Sequence, residues 1–489
     1  MTKIILNGVE VEADPKKPLI AACHGELADV PTYCYHPGLT PVGSCRMCQV
    51  EVKQGEMPPR VVVACRTPVA EGMVVDTEAP KAHDARRQCL EFLLKNHPLD
   101  CPICDKAGEC DLQDFAFDEG QGEGRSVEPR RKLEKRKSLG DVITLDQERC
   151  ILCSRCVRFF EDVTHKPQLT VANLGARSII ATWRDQPLTG NYQGNLADIC
   201  PVGALTLKKF RFQARVWNLS KHFSTCGECS RGCSVTVEVL RTAEVKRMRP
   251  RYNADVNKWW MCDTGRFSYD RFNAEGRLEG GALRDSRGLV GTSTDDALDA
   301  AGDALRVHPE PVIVASPWLT QEEGRELLAL GRALGVKPRF VSPPPNDLKD
   351  DLLHTGDPCP NRRGLTELGI EGADAETLLT DLGAAQSALI VGERVEELLG
   401  SEALDALPGK LRLIAMTPHP VHSPAARICI GVPTAAERTG TWINVDGHRG
   451  PLAAARPMPP GVRPLVATLQ GLCERVSNAT QPAGAEGQA

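Results

Sequence analysis

Sixteen residues up to position 262 have the types and spacings of metal ligands, and they fall into four sets of four. Cys34, Cys45 and Cys48 read C-x10-C-x2-C, with Cys65 after sixteen more residues. His97, Cys101, Cys104 and Cys110 read H-x3-C-x2-C-x5-C. Cys150, Cys153 and Cys156 read C-x2-C-x2-C, with Cys200-Pro201 far downstream. Cys226, Cys229 and Cys233 read C-x2-C-x3-C, with Cys262 after a gap of 28 residues. Thiolate and imidazole hold tetrahedral zinc and also iron–sulfur clusters. The second set suits either metal on ligand types alone, and the fourth alone could be a zinc ribbon. Zinc rarely uses three cysteines as tightly spaced as in the third. The other five cysteines, Cys23, Cys89, Cys359, Cys429 and Cys473, are isolated in sequence and read as buried apolar fillers.

The elements that must position these ligands are short. Ile4–Leu6, a turn at Asn7-Gly8 and the alternation from Val9 to Val11 form a hairpin signal. A helix-like run from Pro18 to about Leu27, a loop rich in Gly, Pro and Cys, and strands at Gln49 to Val52 and Arg60 to Val63 complete a small mixed domain. Its ligands resemble the plant-type ferredoxin arrangement, with small residues in GSCRMC that let backbone N–H groups approach the sulfurs. Ala85, Leu90, Leu93 and Leu94 recur at helical spacing from Pro80 to His97, where Pro98 stops the helix. The third set looks like half of a bacterial ferredoxin pattern. Basic residues crowd Arg125 to Lys137 as a solvated linker. Beyond Gly280, helices alternate with apolar strands at Pro311 to Ala315, Ser387 to Val391 and Leu411 to Ala415, the rhythm of a parallel-sheet α/β domain.

Net charge is −5, which gives no electrostatic footprint for nucleic acid or an anionic membrane surface. No run approaches the ~20 apolar residues of a membrane span, and the start lacks the pattern of a secretory signal. A soluble or peripheral cytosolic chain is expected. With seventeen of twenty cysteines before Asp263, a reducing compartment favours metal over disulfides. No Gly-rich dinucleotide fingerprint, nucleophile elbow or H-E-x-x-H pattern is present, so no site of bond-making chemistry is expected.

Over roughly residues 1 to 275, the runs GSCRMCQVEV, NHPLDCPICDKAGECDLQD, DLQDFAF, RCILCSRCVRF and GNLADICPVGALT resemble the large iron–sulfur subunit (the G subunit) of proton-pumping NADH:quinone oxidoreductase, respiratory complex I. The resemblance implies a [2Fe–2S] cluster on the first set and a [4Fe–4S] cluster on each of the second, third and fourth. The fourth would lie off the main electron path. Residues 219–275 and the run AERTGTWINVDGHRG from Ala436 to Gly450 also resemble molybdopterin oxidoreductases, but only about two hundred residues follow Cys262. A shortened, cofactor-free remnant is expected there, with no molybdopterin and with Cys359 an ordinary loop cysteine.

The expected fold is α+β and α/β multidomain: an N-terminal β-grasp [2Fe–2S] ferredoxin-like domain at 1–80, a histidine-ligated [4Fe–4S] domain at 81–120, a [4Fe–4S] ferredoxin-like domain at 138–215, a further [4Fe–4S] domain at 219–275, a degenerate α/β domain at 280–475 and a disordered tail at 477–489. The implied partners are a flavin/NADH-binding subunit, other hydrophilic-arm subunits and quinone-reducing subunits, with membrane contact only through them, at the cytoplasmic face of the bacterial inner membrane. Two other readings stay open. One is a relay subunit of an NAD-linked hydrogenase or formate dehydrogenase, and the other a zinc-stapled scaffold.

Overall fold

The computed structural model describes residues 1–25, 27–241, 243–308 and 310–477. It divides into two compact units, Met1–Asn218 and Leu219–Ala489.

In the N-terminal unit, Asn7 and Gly8 both take positive φ (51° and 83°), as a tight type I′ hairpin requires, and fold Val9–Ala13 back on Thr2–Leu6. Thr2–Leu6 pairs in parallel with Val74–Asp76, and Gln49–Lys53 lies antiparallel between Val74–Asp76 and Arg60–Val63, completing a five-stranded sheet. Strand alternation buries Ile4, Leu6, Val50, Val52 and Val75 against Leu19 and Ile20. The run from Pro18 to Leu27 is not a helix. It is one tight turn, Leu19–Ala21, followed by the paired strands His24–Gly25 and Ala28–Asp29. Its apolar residues plug the sheet core and do not extend into a helical stripe.

The helix Pro80–Asn96 forms as its periodicity predicts, with Pro at its first position and His97 at its C-cap. Arg86 on its buried face donates to the carbonyls of Gln49 (3.0 Å) and Thr77 (2.5 Å) and pairs with Glu119 (2.6 Å), so one guanidinium fixes helix to sheet. Further along, Ile143–Leu145 lies between Lys137–Ser138 and Leu205–Leu207, and Leu169–Ala172 pairs with Ile179–Thr182. The basic run from Arg125 is exposed over much of its length but is tied down. Arg125 pairs with Glu91 at 2.6 Å, and Lys135 bridges Asp100 (2.6 Å) and Glu148 (2.7 Å).

The C-terminal unit opens with an antiparallel sheet of Leu219–Thr225, Ser234–Leu240 and Val245–Pro250. An eight-stranded sheet follows. Its six parallel strands run, across the sheet, Ala426–Gly431, Arg412–Thr417, Ser387–Val391, Val312–Ala315, Arg339–Val341 and Glu371–Ala373. The order is that of a doubly wound sheet whose direction switches beside Val312–Ala315, with the hairpin Gly281–Asp285 and Gly288–Thr292 added at one edge. Alternate residues feed two cores. Ile313, Leu389, Val391 and Ile414 pack with the helices Thr294–Val307, Gln321–Leu334 and Leu465–Ser477, while Val314, Ala388, Ile390 and Leu413 pack with Ala375–Ala384 and Val395–Leu399. Ser477 ends the last helix, and the rest of the expected tail lies outside the described residues. Among the described residues no helix is long and apolar enough to cross a membrane.

Candidate metal centres

In the first set, three of the four thiols are buried and Cys45 is half-buried. Gly43 and Arg46 take positive φ (70° and 58°), which curls the loop so that Cys45 Sγ accepts from Cys34 N–H at 3.4 Å. Cys65 follows the strand Arg60–Val63, and Cys48 precedes its partner Gln49–Lys53, so the β-ladder delivers both. Mutual interaction of the crowded sulfurs holds Cys34 and Cys48 below the ordinary thiol range and pushes Cys45 and Cys65 up.

The second set begins where Pro98 stops the helix. His97 is partly buried, and its Nδ1 has no hydrogen-bond partner among the described residues, as suits an imidazole that presents a lone pair to a metal. Burial, aided by Arg149, lowers its pKa to about 4, so the ring is neutral across the physiological range. Cys101 is exposed, and Cys104 and Cys110 are buried. His97 and Cys101 line one cleft, and the Cys104 sulfur lies within electrostatic reach of those of Cys101 and Cys110. Burial pushes Cys110 up to about 11.

In the third set, Leu152 and Ser154 both take positive φ (54° and 56°). Such left-handed conformations are uncommon for these residue types and mark a backbone held by its surroundings. Cys150, Cys153, Cys156 and Cys200 line one cavity, whose remaining wall is largely apolar: Leu145, Ile151, Ile180, Val202 and Leu205. Burial pushes Cys150 up to about 12 and Cys153 to about 11. Such thiols stay protonated near neutrality unless a bound cation supplies countercharge, so metal loading here releases protons.

In the fourth set all four sulfurs are buried. Cys226 N–H donates to Cys233 O at 2.8 Å, and Gly265 N–H to Cys262 Sγ at 3.3 Å. A Cβ at Gly265 would lie 2.9 Å from Cys226 Sγ and 3.4 Å from Cys262 Sγ, so only glycine lets the backbone approach. Burial raises Cys226 and Cys233, and brings Cys262 to about 12. Across the chain, no three His, Cys, Asp or Glu side chains among the described residues converge as one mononuclear ion requires.

Three of the sets are tied to one another. Arg158, beyond the third set's Cys156, donates to Cys34 O (2.6 Å), Thr40 O (2.6 Å) and Cys153 O (3.2 Å). Arg155 donates to Tyr35 O (2.6 Å) and Ile199 O (3.1 Å). The second and third sets meet where Asp111 N–H donates to Pro201 O at 3.1 Å and Arg149 reaches Asp100 at 3.0 Å. A Cβ at Gly203 would lie 2.2 Å from Cys104 Sγ. The first and second sets also approach each other, Tyr33 packing on Phe115 at 5.4 Å between ring centroids and lying within electrostatic reach of both Cys45 and Cys110, so the three sets form one contiguous group. Arg155 and Arg158 stand in the motif RCILCSRCVRF yet give no sign of these partners by spacing, and neither Gly203 nor Gly265 carries a sequence signal.

Four families match: a 2Fe-2S iron-sulfur cluster binding domain at 1–80, the NADH-ubiquinone oxidoreductase-G iron-sulfur binding region at 86–125, the ferredoxin-like domain of NADH-quinone oxidoreductase subunit 3 at 140–206, and the molybdopterin oxidoreductase Fe4S4 domain at 219–274. The G subunit of NADH-quinone oxidoreductase from Rickettsia bellii is 38% identical over 67% of this chain and 47% of its own length. That of Rickettsia conorii is 36% identical over 81% of this chain and 57% of its own. The chain is a homologue of these G subunits. The mitochondrial 78 kDa subunit of NADH-ubiquinone oxidoreductase from Neurospora crassa is 38% identical over 69% of this chain and 47% of its own. This G-subunit homologue thus spans about half the length of the curated relatives it matches. It carries 2Fe-2S and 4Fe-4S binding domains. A chain of an NAD+-reducing [NiFe]-hydrogenase structure matches at 28% identity and TM-score 0.38, over 44% of this chain and 91% of that one.

Of the isolated cysteines, Cys23, Cys359 and Cys429 are buried as expected, whereas Cys89 and Cys473 are half-buried.

Proposed function

We propose that this chain is the electron-relay subunit of an NADH:quinone oxidoreductase. It takes single electrons from a flavin/NADH-binding partner and passes them toward quinone-reducing subunits, coupled in the whole assembly to proton translocation. The ligand assignment is a [2Fe–2S] cluster on Cys34, Cys45, Cys48 and Cys65, and [4Fe–4S] clusters on His97, Cys101, Cys104 and Cys110, on Cys150, Cys153, Cys156 and Cys200, and on Cys226, Cys229, Cys233 and Cys262. Each bound group supplies one-electron chemistry.

The observation that carries this reading is the stitching of the first, third and second sets into one run of shared hydrogen bonds. A relay needs its stations close and fixed, and the apolar cavity of the third set excludes water from its station. The protein's own residues bind, hold and desolvate, and none is placed for bond-making.

The C-terminal unit supports the cofactor-free part of the reading. In doubly wound sheets dinucleotides bind at the switch in strand order, on the N-terminus of the first helix. Here Thr320 and Glu323 cap that helix reciprocally, and Glu323 and Glu393 pair with buried Arg438 at 3.2 and 2.7 Å. Trp318 fills the turn and donates to Gly227 O at 2.9 Å. This does not fit a pterin dinucleotide. The chain is then a peripheral subunit on the cytoplasmic face, touching the membrane through its partners alone.

The test is iron and acid-labile sulfide content with low-temperature EPR of anaerobically purified, dithionite-reduced protein. About fourteen irons per chain, with one binuclear and several tetranuclear signals, are expected. Zinc in place of iron in well-metallated material would sink the relay and leave a scaffold.

A further inference from the structure

Arg155 is 8% exposed and forms part of the wall of the cavity that Cys150, Cys153, Cys156 and Cys200 enclose. Two arms of its guanidinium donate to the carbonyls of Tyr35 and Ile199, neighbours in sequence of Cys34 and Cys200, and its Nη1 also lies 3.9 Å from the Asp111 carboxylate. Its Nε–H is buried and has no partner among the described residues. A buried N–H left unmade is costly, and a cationic one more so. Such an atom on the wall of a thiol-lined cavity needs an acceptor there. The side chains of the wall residues Leu145, Ile151, Ile180, Val202, Ala204 and Leu205 provide none, and the Oγ of Ser154 accepts from Arg158 Nε at 3.3 Å.

We propose that Arg155 donates its Nε–H to a sulfur of the group held by the third ligand set and so fixes that site's reduction potential, while its other arms lock the site to the loop of the first set. This deepens the relay reading and rests on it. Reduction adds one electron and negative charge, and no bond to Arg155 is made or broken. A fixed cation in an apolar wall favours the more negative, reduced state. Because the planar guanidinium is held by two carbonyls, its third donor is oriented before any electron arrives. Arg155 is in this sense a positioning and potential-setting residue for electron transfer.

The experiment is an EPR-monitored redox titration of the full chain in its native assembly, reading the tetranuclear signal that Cys153→Ala abolishes. In Arg155→Gln the reduced-to-oxidised ratio at fixed poise is expected to fall on the order of tenfold, about 59 mV for one electron, with the His97-dependent signal unmoved. Arg155→Lys, which keeps the charge and loses the fork, is expected to shift less. In wild-type protein labelled with arginine carrying 15N at Nε alone, because the Arg155 backbone N–H itself lies against Cys153, electron spin echo envelope modulation of the same signal is expected to show 15N coupling that Arg155→Lys removes. An unshifted potential in a loaded Arg155→Gln protein overturns the proposal. If that variant does not load, absence of arginine coupling in the wild type overturns it. Iron-free wild-type protein would instead bring down the relay reading itself.

Discussion

The third and fourth ligand sets each combine a tight local triad of cysteines with one remote cysteine, and burial is the principal force raising thiol pKa in both. Their surroundings differ. The third is bonded through Arg155 and Arg158 to the first and through Pro201 and Gly203 to the second. The contacts that hold the fourth run to loops and to the hairpin strand Arg449–Leu452 of its own unit: Gly227 O accepts from Trp318, Ser230 N–H donates to Asp357 O, and Thr225 Oγ1 to Pro451 O. The same cysteine pattern is therefore bonded to neighbouring ligand sets in one region and into the packing of a domain in the other. Ligand spacing announces a cluster, but the second layer of hydrogen bonds decides what the cluster is connected to.

The largest expected effect separates the two directly. Cys153→Ala should reduce NADH:quinone turnover of the assembly to background, whereas Cys226→Ala should leave turnover and lower stability. Steady-state assays with thermal unfolding read both, and loss of turnover in Cys226→Ala would erase the distinction.

A single added methyl sharpens the comparison. Gly203→Ala drives a Cβ to within 2.2 Å of Cys104 Sγ, and Gly265→Ala drives one to within 2.9 Å of Cys226 Sγ. Each should strain its site by about 1–3 kcal/mol. The first should diminish the His97-dependent EPR signal and turnover together, the second only the fourth set's signal. Gly122→Ala, where the methyl meets nothing within 4 Å, is the control.

Arginine removal compares the fastenings. Arg158→Met strands the carbonyls of Cys34, Thr40 and Cys153, at a cost of roughly 3 kcal/mol. Arg438→Met leaves Glu323 and Glu393 as buried unpaired carboxylates, costing about 3–5 kcal/mol. Denaturant unfolding gives both values, and EPR should register a change in the binuclear signal for Arg158→Met alone.

The smallest effect is one of pH. Burial and Arg277 hold His419 in the C-terminal unit below its ordinary value near 6.5. The unfolded chain therefore takes up this proton at higher pH than the folded one, and stability present above pH 6.5 is lost as pH falls below it. His419→Gln should flatten the stability–pH slope between pH 7 and 5 in denaturant titrations.

Much of this molecule was legible in the order of residues because its strongest signals are local. The Asn7-Gly8 hairpin depends on two adjacent φ angles, the end of the helix Pro80–Asn96 on Pro98, and the strands Val312–Ala315, Ser387–Val391 and Arg412–Thr417 on short apolar runs between helices. The run from Pro18 to Leu27 misled because its few apolar residues serve a sheet core formed by strands up to Val74–Asp76, and burial there outweighs helical spacing. The basic run from Arg125 reads as free linker because its carboxylate partners Glu91, Asp100 and Glu148 are remote or on other segments.

Sequence by itself determined the sixteen candidate ligands and their grouping, since thiolate and imidazole at these spacings have few other uses. Tertiary structure alone decided which sets touch, that glycine must stand at 203 and 265, and that the Arg155 Nε–H is buried without a partner among the described residues. Those facts arise where segments tens of residues apart meet, and no local pattern encodes a distance between them.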